Sequence, residues 1–175
     1  MSFFSYKEYY DKVAARSYST YVEVGCFEGD SISYLTKALK PRWRQVKIYG
    51  VDVFENVTPE IDPIFSKEVL YWERYDKQLA SEGIRDRVTD IRMQSVAASE
   101  LFKNRNVDFV FLDACKTYVS TMADMKAWYP KISGHGVLAG HDCFTPPVNT
   151  ALQEFSKSIG RKYKIYPGQA VWEIS

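Results

Sequence analysis

Apolar residues in this chain alternate between short β-type runs and longer helix-type stripes. Tyr21, Val22 and Val24 make the first run; Ile32, Leu35 and Leu39 follow at helical spacing, and Pro41 closes that helix. Residues 46–52 read as a second strand. Phe65, Val69, Trp72 and Leu79 fit one face of a helix, residues 88–93 a third strand, and residues 95–102 a short helix. The run 107–112 is apolar except for Asp108. Tyr118, Met122, Met125 and Trp128 then step along a helix that Pro130 stops. After a fifth strand, Pro147 sits at a helix start, and Val148, Leu152, Phe155 and Ile159 form a stripe ended by Gly160. Residues 163–166 and 170–174 read as two last strands. The Pro167-Gly168 connection between them is too short for anything but an antiparallel hairpin. Residues 3–16 form an amphipathic lead-in helix, placed within a helical segment 1–18.

Strands alternating with helices predict an α/β fold, a mostly parallel sheet with helices on both faces. Residues 53–66, with Pro59 and Pro63, break the alternation. They leave the second strand at its carboxyl end, so they read equally as a lid or as a surface loop.

At 175 residues, the chain is expected to be one domain, 1–175, with room for one core and no separate substrate domain. A net charge of +1 gives no electrostatic footprint for nucleic acid or an anionic membrane. No apolar run approaches the ~20 residues of a spanning helix. Three cysteines without C-x-x-C spacing suggest a reducing compartment, the cytoplasm.

Candidate chemistry gathers at the carboxyl ends of the strands, where ligands bind in parallel sheets. The first strand runs into Glu23, Gly25, Cys26, Phe27, Glu28 and Gly29, a glycine-bearing turn that opens a helix. Such a turn lets a ligand lie against bare backbone and offers a helix N-terminus. Asp52 ends the second strand, near the ~20-residue offset at which a carboxylate takes ribose hydroxyls. Together they indicate an adenosine-bearing cofactor. The turn lacks Gly-x-Gly-x-x-Gly, and Glu23 is a poor neighbour for a pyrophosphate but suits a cationic ligand.

Here the sequence resembles the class I S-adenosylmethionine-dependent methyltransferases, whose first motif, acid-x-Gly-x-x-x-Gly, is matched by Glu23, Gly25 and Gly29. Asp52 matches the acid ending their second strand. Residues 107–118 and 134–142 are similar to the fourth- and fifth-strand motifs of the small-molecule O-methyltransferases, so the resemblance runs from Tyr21 onward. It implies a Rossmann-like, seven-stranded sheet closed by a C-terminal antiparallel strand. It also implies S-adenosyl-L-methionine bound by Glu23, Gly25, Cys26, Phe27, Gly29, Ser31, Asp52, Val53, Gln94, Ser95 and Asp113. Met93, Gln94 and Ser95 would flank the adenine.

Asp113, His141 and Asp142 end two apolar strands expected to be neighbours, and two carboxylates with an imidazole would suit a divalent cation. The cation-dependent catechol and caffeoyl-CoA O-methyltransferases show a similar pattern. There the fourth-strand acid binds metal and a lysine three residues later is the base. Asp113, Lys116 and Asp142 match, while His141 stands where that family has an acid. A related bacterial group, with Asp-Gly-Asp-His-Ser-Tyr and a closing His-Asp, is matched by Tyr118 and His141-Asp142, but Lys116 replaces its histidine.

The resemblance implies catalysis by Lys116 and Asp113, with Asp113, His141 and Asp142 holding Mg²⁺ or Mn²⁺. The expected function is metal-assisted O-methylation of a small hydroxylated molecule or sugar. Two alternatives stay open: a metal-independent methyltransferase, and a non-catalytic S-adenosylmethionine-binding module that partners another protein. The chain is short, so its site is either open or completed by a second copy in a homodimer. Cys26, Cys115 and Cys143, each just past a strand, suggest either a thiol site or simple space-filling.

Overall fold

The computed structural model describes residues 4–55 and 70–175. It holds seven strands: β1 Thr20–Val24, β2 Lys47–Asp52, β3 Val88–Arg92, β4 Val107–Leu112, β5 Ile132–Gly140, β6 Tyr163–Tyr166 and β7 Val171–Ile174. The helices are α1 Lys7–Ala14, α2 Asp30–Ala38, α3 Tyr71–Ser81, α4 Ser95–Ser99, α5 Tyr118–Trp128 and α6 Pro146–Ser158. The sheet order is β3-β2-β1-β4-β5-β7-β6. The pairings from β3 across to β5 are parallel, and β7 runs antiparallel to both β5 and β6. This is the mostly parallel sheet that the alternation and the closing hairpin led us to expect, with the seven strands and single antiparallel strand that the methyltransferase resemblance implies.

Side chains alternate across the sheet, so the strands divide the core in two. Tyr21, Phe109 and Phe111 face α1, α2 and α3, packing with Tyr9, Tyr10, Leu35 and Leu79. Val22, Val24, Val110 and Leu112 face the other way, against Met125, Trp128, Leu152 and Phe155. β4 is buried along its whole length, as expected for a central strand covered on both faces.

The differences from the pattern lie at element ends. The short helix after β3 stops at Ser99 rather than 102. The last strand starts at Val171, because Ala170 takes a left-handed backbone, φ 51°, to turn the hairpin. Of the stripe assigned before residue 80, Trp72 and Leu79 lie on α3, whereas Phe65 and Val69 fall outside the described residues. Most of the 53–66 segment, read as lid or loop, also falls outside them.

Candidate active site

The sheet order places the ends of β1, β4 and β5 side by side. Asp113 N donates to Val24 O at 2.8 Å and His141 N to Leu112 O at 3.1 Å, which carries the parallel pairing one step past the strands. Beyond the ends of β1, β2 and β4 lies a cavity of about 650 Å³, within the size range of small-molecule sites. Its wall includes Gly25, Phe27, Asp52, Val53, Gln94, Ser95 and Asp113 among the residues singled out from sequence.

The glycine turn is shaped by close contact. Gly25 has φ 90°, and a Cβ there would stand 2.6 Å from Ala114 N and from the Asp113 carbonyl. Only glycine lets β1 and β4 approach so closely. Phe27, at φ 49°, is a bulky residue held in left-handed backbone. Asp52 holds this bend. Its Oδ2 accepts from Cys26 N at 2.8 Å and Phe27 N at 3.1 Å, and its Oδ1 from Phe54 N at 2.9 Å. A carboxylate has about four acceptor sites, so Asp52 keeps capacity for a further donor from the cavity. The amides of Cys26 and Phe27, however, point at Asp52 and are not free for a ligand.

Four residues of the predicted cofactor set sit behind the turn and do not line the cavity. Cys26 is buried, with Sγ 3.5 Å from Glu23 O. Gly29, at φ 88°, lies where a Cβ would meet Leu79 and Tyr75 of α3 at 3.0 Å. Glu23 is 2 % exposed; its carboxyl accepts from Tyr10 Oη at 2.7 Å and from Ser31 Oγ at 2.5 Å. Burial pushes the Glu23 carboxyl up to about 8, against the opposing pull of those two hydroxyls. Glu23 and Ser31 thus form a buried polar link between β1, α1 and α2, and not an anionic patch on the cavity wall.

Asp113, Lys116, His141 and Asp142 do come together. Lys116 Nζ bonds Asp113 and stands 3.3 Å from Asp142 Oδ2. His141 Nδ1 lies 3.6 Å from Asp113 and 3.3 Å from Asp142. Asp142 sits at φ 58°, a left-handed conformation that aspartate tolerates better than most side chains. Burial alone would raise the Asp113 carboxyl. Its contact with His141 and the Lys116 charge outweigh burial and hold the group below the usual carboxylate range.

The fit to a metal can be judged from these groups. Asp113, His141 and Asp142 each bring one ligand atom, and these atoms lie within 4.8 Å of one another. Two carboxylates and an imidazole suit Mg²⁺ or Mn²⁺ in number and kind. The Lys116 ammonium now engages both carboxylates, so a cation binding there would compete with it.

Sequence reasoning missed the contribution of α1. Tyr6 Oη donates to Asp113 Oδ2 at 2.8 Å, and Ser5 Oγ is 3.4 Å from His141 Nε2. The amphipathic pattern gave the helix but not its target, since the pairing spans more than a hundred residues. The aromatic residues near the strand ends take different places. Tyr71 lines the cavity beside Phe27, with ring centroids 4.8 Å apart; Phe54 and Tyr75 are core; Tyr118 and Phe144 are exposed. The three cysteines do not converge. Cys26 lies in the core on one face of the sheet and Cys143 in the core on the other, while Cys115 is exposed.

Structural comparison finds the same fold in several methyltransferases. The O-methyltransferase NovP matches with a TM-score of 0.76 at 15% identity, over 98% of this chain and 79% of its own. The SAH-bound methyltransferase PaMTH1 of Podospora anserina gives 0.72 at 15% identity, over 99% and 79%. CalS11, a TDP-rhamnose 3′-O-methyltransferase, gives 0.64 at 14%, over 96% and 76%. Comparison with curated protein sequences finds no match. A family model described as a methyltransferase domain matches residues 22–143, from the first strand through the glycine turn to the residues just past His141-Asp142. With strand order, turn and sequence model in agreement, the chain belongs to that family, the class I S-adenosylmethionine-dependent methyltransferases.

Proposed function

We propose that this protein transfers the methyl group of S-adenosylmethionine to a hydroxyl oxygen of a small molecule, phenolic or sugar-like, with the help of a divalent cation. The observation that carries this reading is the convergence of Asp113, Lys116, His141 and Asp142 on one spot, with Asp113 also lining the cavity. The cofactor would lie along the wall formed by Gly25, Phe27, Asp52, Val53, Gln94, Ser95 and Asp113. Glu23, Cys26, Gly29 and Ser31 would hold the turn from behind. Three free thiols are in keeping with a reducing compartment such as the cytoplasm.

In the transfer, the O–CH₃ bond forms as the S–CH₃ bond breaks. The sulfonium becomes a neutral thioether, and the hydroxyl proton passes to a base. Asp113, His141 and Asp142 would hold the cation, whose positive charge favours the ionised acceptor oxygen. Lys116 stands beside that position and would take the proton. To do so it must first leave the two carboxylates and give up its own proton to solvent; cation binding by Asp113 and Asp142 would displace it from them, and the neutral amine could then accept the hydroxyl proton. Tyr6 fixes the Asp113 carboxylate from the far side.

A metal-free reading has one observation in its favour: the Lys116 ammonium already brings positive charge to this spot. Calorimetry with S-adenosylmethionine, then methyl-transfer assays on a panel of phenols, catechols and sugars with Mg²⁺, Mn²⁺ or a chelator, separates the readings. Turnover that the chelator abolishes, with cofactor binding intact, is the expected result. Turnover that survives it selects the metal-free reading. Failure to bind the cofactor refutes both.

A further inference from the structure

Asp124 is a carboxyl group that nothing so far described uses. It lies on α5, 7 % exposed, and it borders the cavity beside Ser95, Val96 and Ser120. Among the described residues it forms no salt bridge, and its electrostatic neighbours are the Ser95 hydroxyl and the more distant Lys116 charge. Burial pushes its carboxyl up, and those two neighbours pull it back. Ser95 is itself oriented. The Trp128 indole N–H donates to Ser95 Oγ at 3.0 Å, which leaves the hydroxyl hydrogen free to turn toward Asp124. One contact does not satisfy a carboxyl with about four acceptor sites, and a buried acceptor without donors is costly. Asp124 also borders a void beside Lys116 and His141, but that space, about 10 Å³, holds no more than a water, so the large cavity is the direction with room for a ligand.

The position along the cavity narrows the ligand group. Gly25 and Asp52 mark the end at β1 and β2, while Met93, Gln94 and Ser95 follow β3. The part of the wall that carries Asp124 combines apolar Met93, Val96, Val119 and Ala123 with the hydroxyls of Ser95 and Ser120. A flat aromatic ring with a hydrogen-bond donor at its edge fits such a slot. Adenine offers that donor in its exocyclic amine.

Building on the reading that the cavity binds S-adenosylmethionine, we propose that Asp124 is a specificity-determining residue that accepts a hydrogen bond from the adenine amino group. Ser95 and Trp128 act as positioning residues that aim it. The same ring with a carbonyl in place of the amine would set oxygen against oxygen, and the site would reject it. Sites built to bond a particular polar group discriminate strongly against ligands lacking it.

The test is calorimetry with two ligands, S-adenosylhomocysteine and its deaminated counterpart S-inosylhomocysteine. The wild-type protein should prefer the adenosyl form by at least about a hundredfold. Asp124→Asn keeps the size and offers an amide N–H to the inosyl carbonyl. It should weaken adenosyl binding, strengthen inosyl binding, and so shrink the preference tenfold or more. A structural role alone would weaken both ligands equally and leave the ratio unchanged. An unchanged ratio in Asp124→Asn, or equal affinities in the wild type, overturns the proposal, and the wild-type comparison stands even if the variant fails to fold. Binding of neither ligand by the wild type overturns the cofactor reading itself and the proposal with it.

Discussion

Glu23→Gln should stabilise this protein at neutral and mildly alkaline pH, although it replaces a buried, twice hydrogen-bonded group. In the unfolded chain a glutamate ionises near 4.5; in the fold, burial pushes Glu23 up to about 8. Between those values the unfolded state has lost the proton and the folded state keeps it. The folded state therefore binds more protons, and stability falls as pH rises through this window. Each pH unit costs at most about 1.4 kcal/mol, so the whole window is worth on the order of 4–5 kcal/mol. Below about 4.5 both states are protonated and the contribution is fully present. Glutamine is neutral throughout. Its amide can accept from one of Tyr10 and Ser31 and donate to the other once that hydroxyl reorients. Urea denaturation of cofactor-free wild type and Glu23→Gln at half-unit steps from pH 5 to 8.5 measures the difference, in which every other titrating group cancels. The gap should be near zero at the acid end and widen in favour of the variant toward pH 8. Parallel curves, or a variant less stable at pH 8, would refute the picture of a buried neutral acid.

Three further outcomes are expected. Asp52→Ala removes the acceptor of three backbone amides as well as a cavity-wall carboxylate, and should weaken S-adenosylhomocysteine binding by about 1.5–3 kcal/mol in calorimetry; an unchanged affinity would count against the turn as the cofactor site. Lys116→Met should cut turnover by about two to four orders of magnitude in steady-state assays, with cofactor affinity nearly unchanged; full activity would exclude Lys116 as base. Gly25→Ala forces a Cβ to 2.6 Å from the Asp113–Ala114 backbone at φ 90°, and should cost at least about 2 kcal/mol in denaturant unfolding; a neutral result would mean that β1 and β4 can part without loss.

The sheet was legible because each strand carries its own signal. The run of β4, apolar but for Asp108, suits a strand covered on both faces, and Pro167-Gly168 between two β-rich runs admits only a hairpin. The cluster of Asp113, His141 and Asp142 was legible for a related reason: strand ends in a parallel sheet converge, so acids placed there meet. What sequence could not supply was the direction of each side chain. Glu23 stands two residues before a cavity-wall glycine, yet alternation along β1 turns it to the face that α1 covers. Asp52 looked like a ribose ligand and is also the clamp of the glycine turn, because the backbone of residues 26 and 27 curls onto it. Tyr6, just ahead of α1, and Asp124, on α5, reach the site from helical segments. Their sequence spacing says which helical face they share, and nothing about which cavity that face borders.

The tyrosines of α1 carry a consequence for the order in which the chain is assembled. Tyr9 Oη donates to Glu173 Oε2 at 2.8 Å, Tyr9 N to the Gln169 side chain at 2.8 Å, and Arg16 pairs with Glu173 at 2.9 Å. Because α1 precedes the sheet in the chain, it finds these partners only after β7 has been made. During synthesis the strands from β1 to β5 can pair in turn and offer α1 a partial seat on β1, β4 and α2, but its contacts with Gln169 and Glu173 must wait for the final hairpin. The helix next to Tyr6 is thus made before the whole sheet and fully secured only after it, and a ribosome-stalled chain lacking the final hairpin should hold it less firmly against protease than the finished fold does.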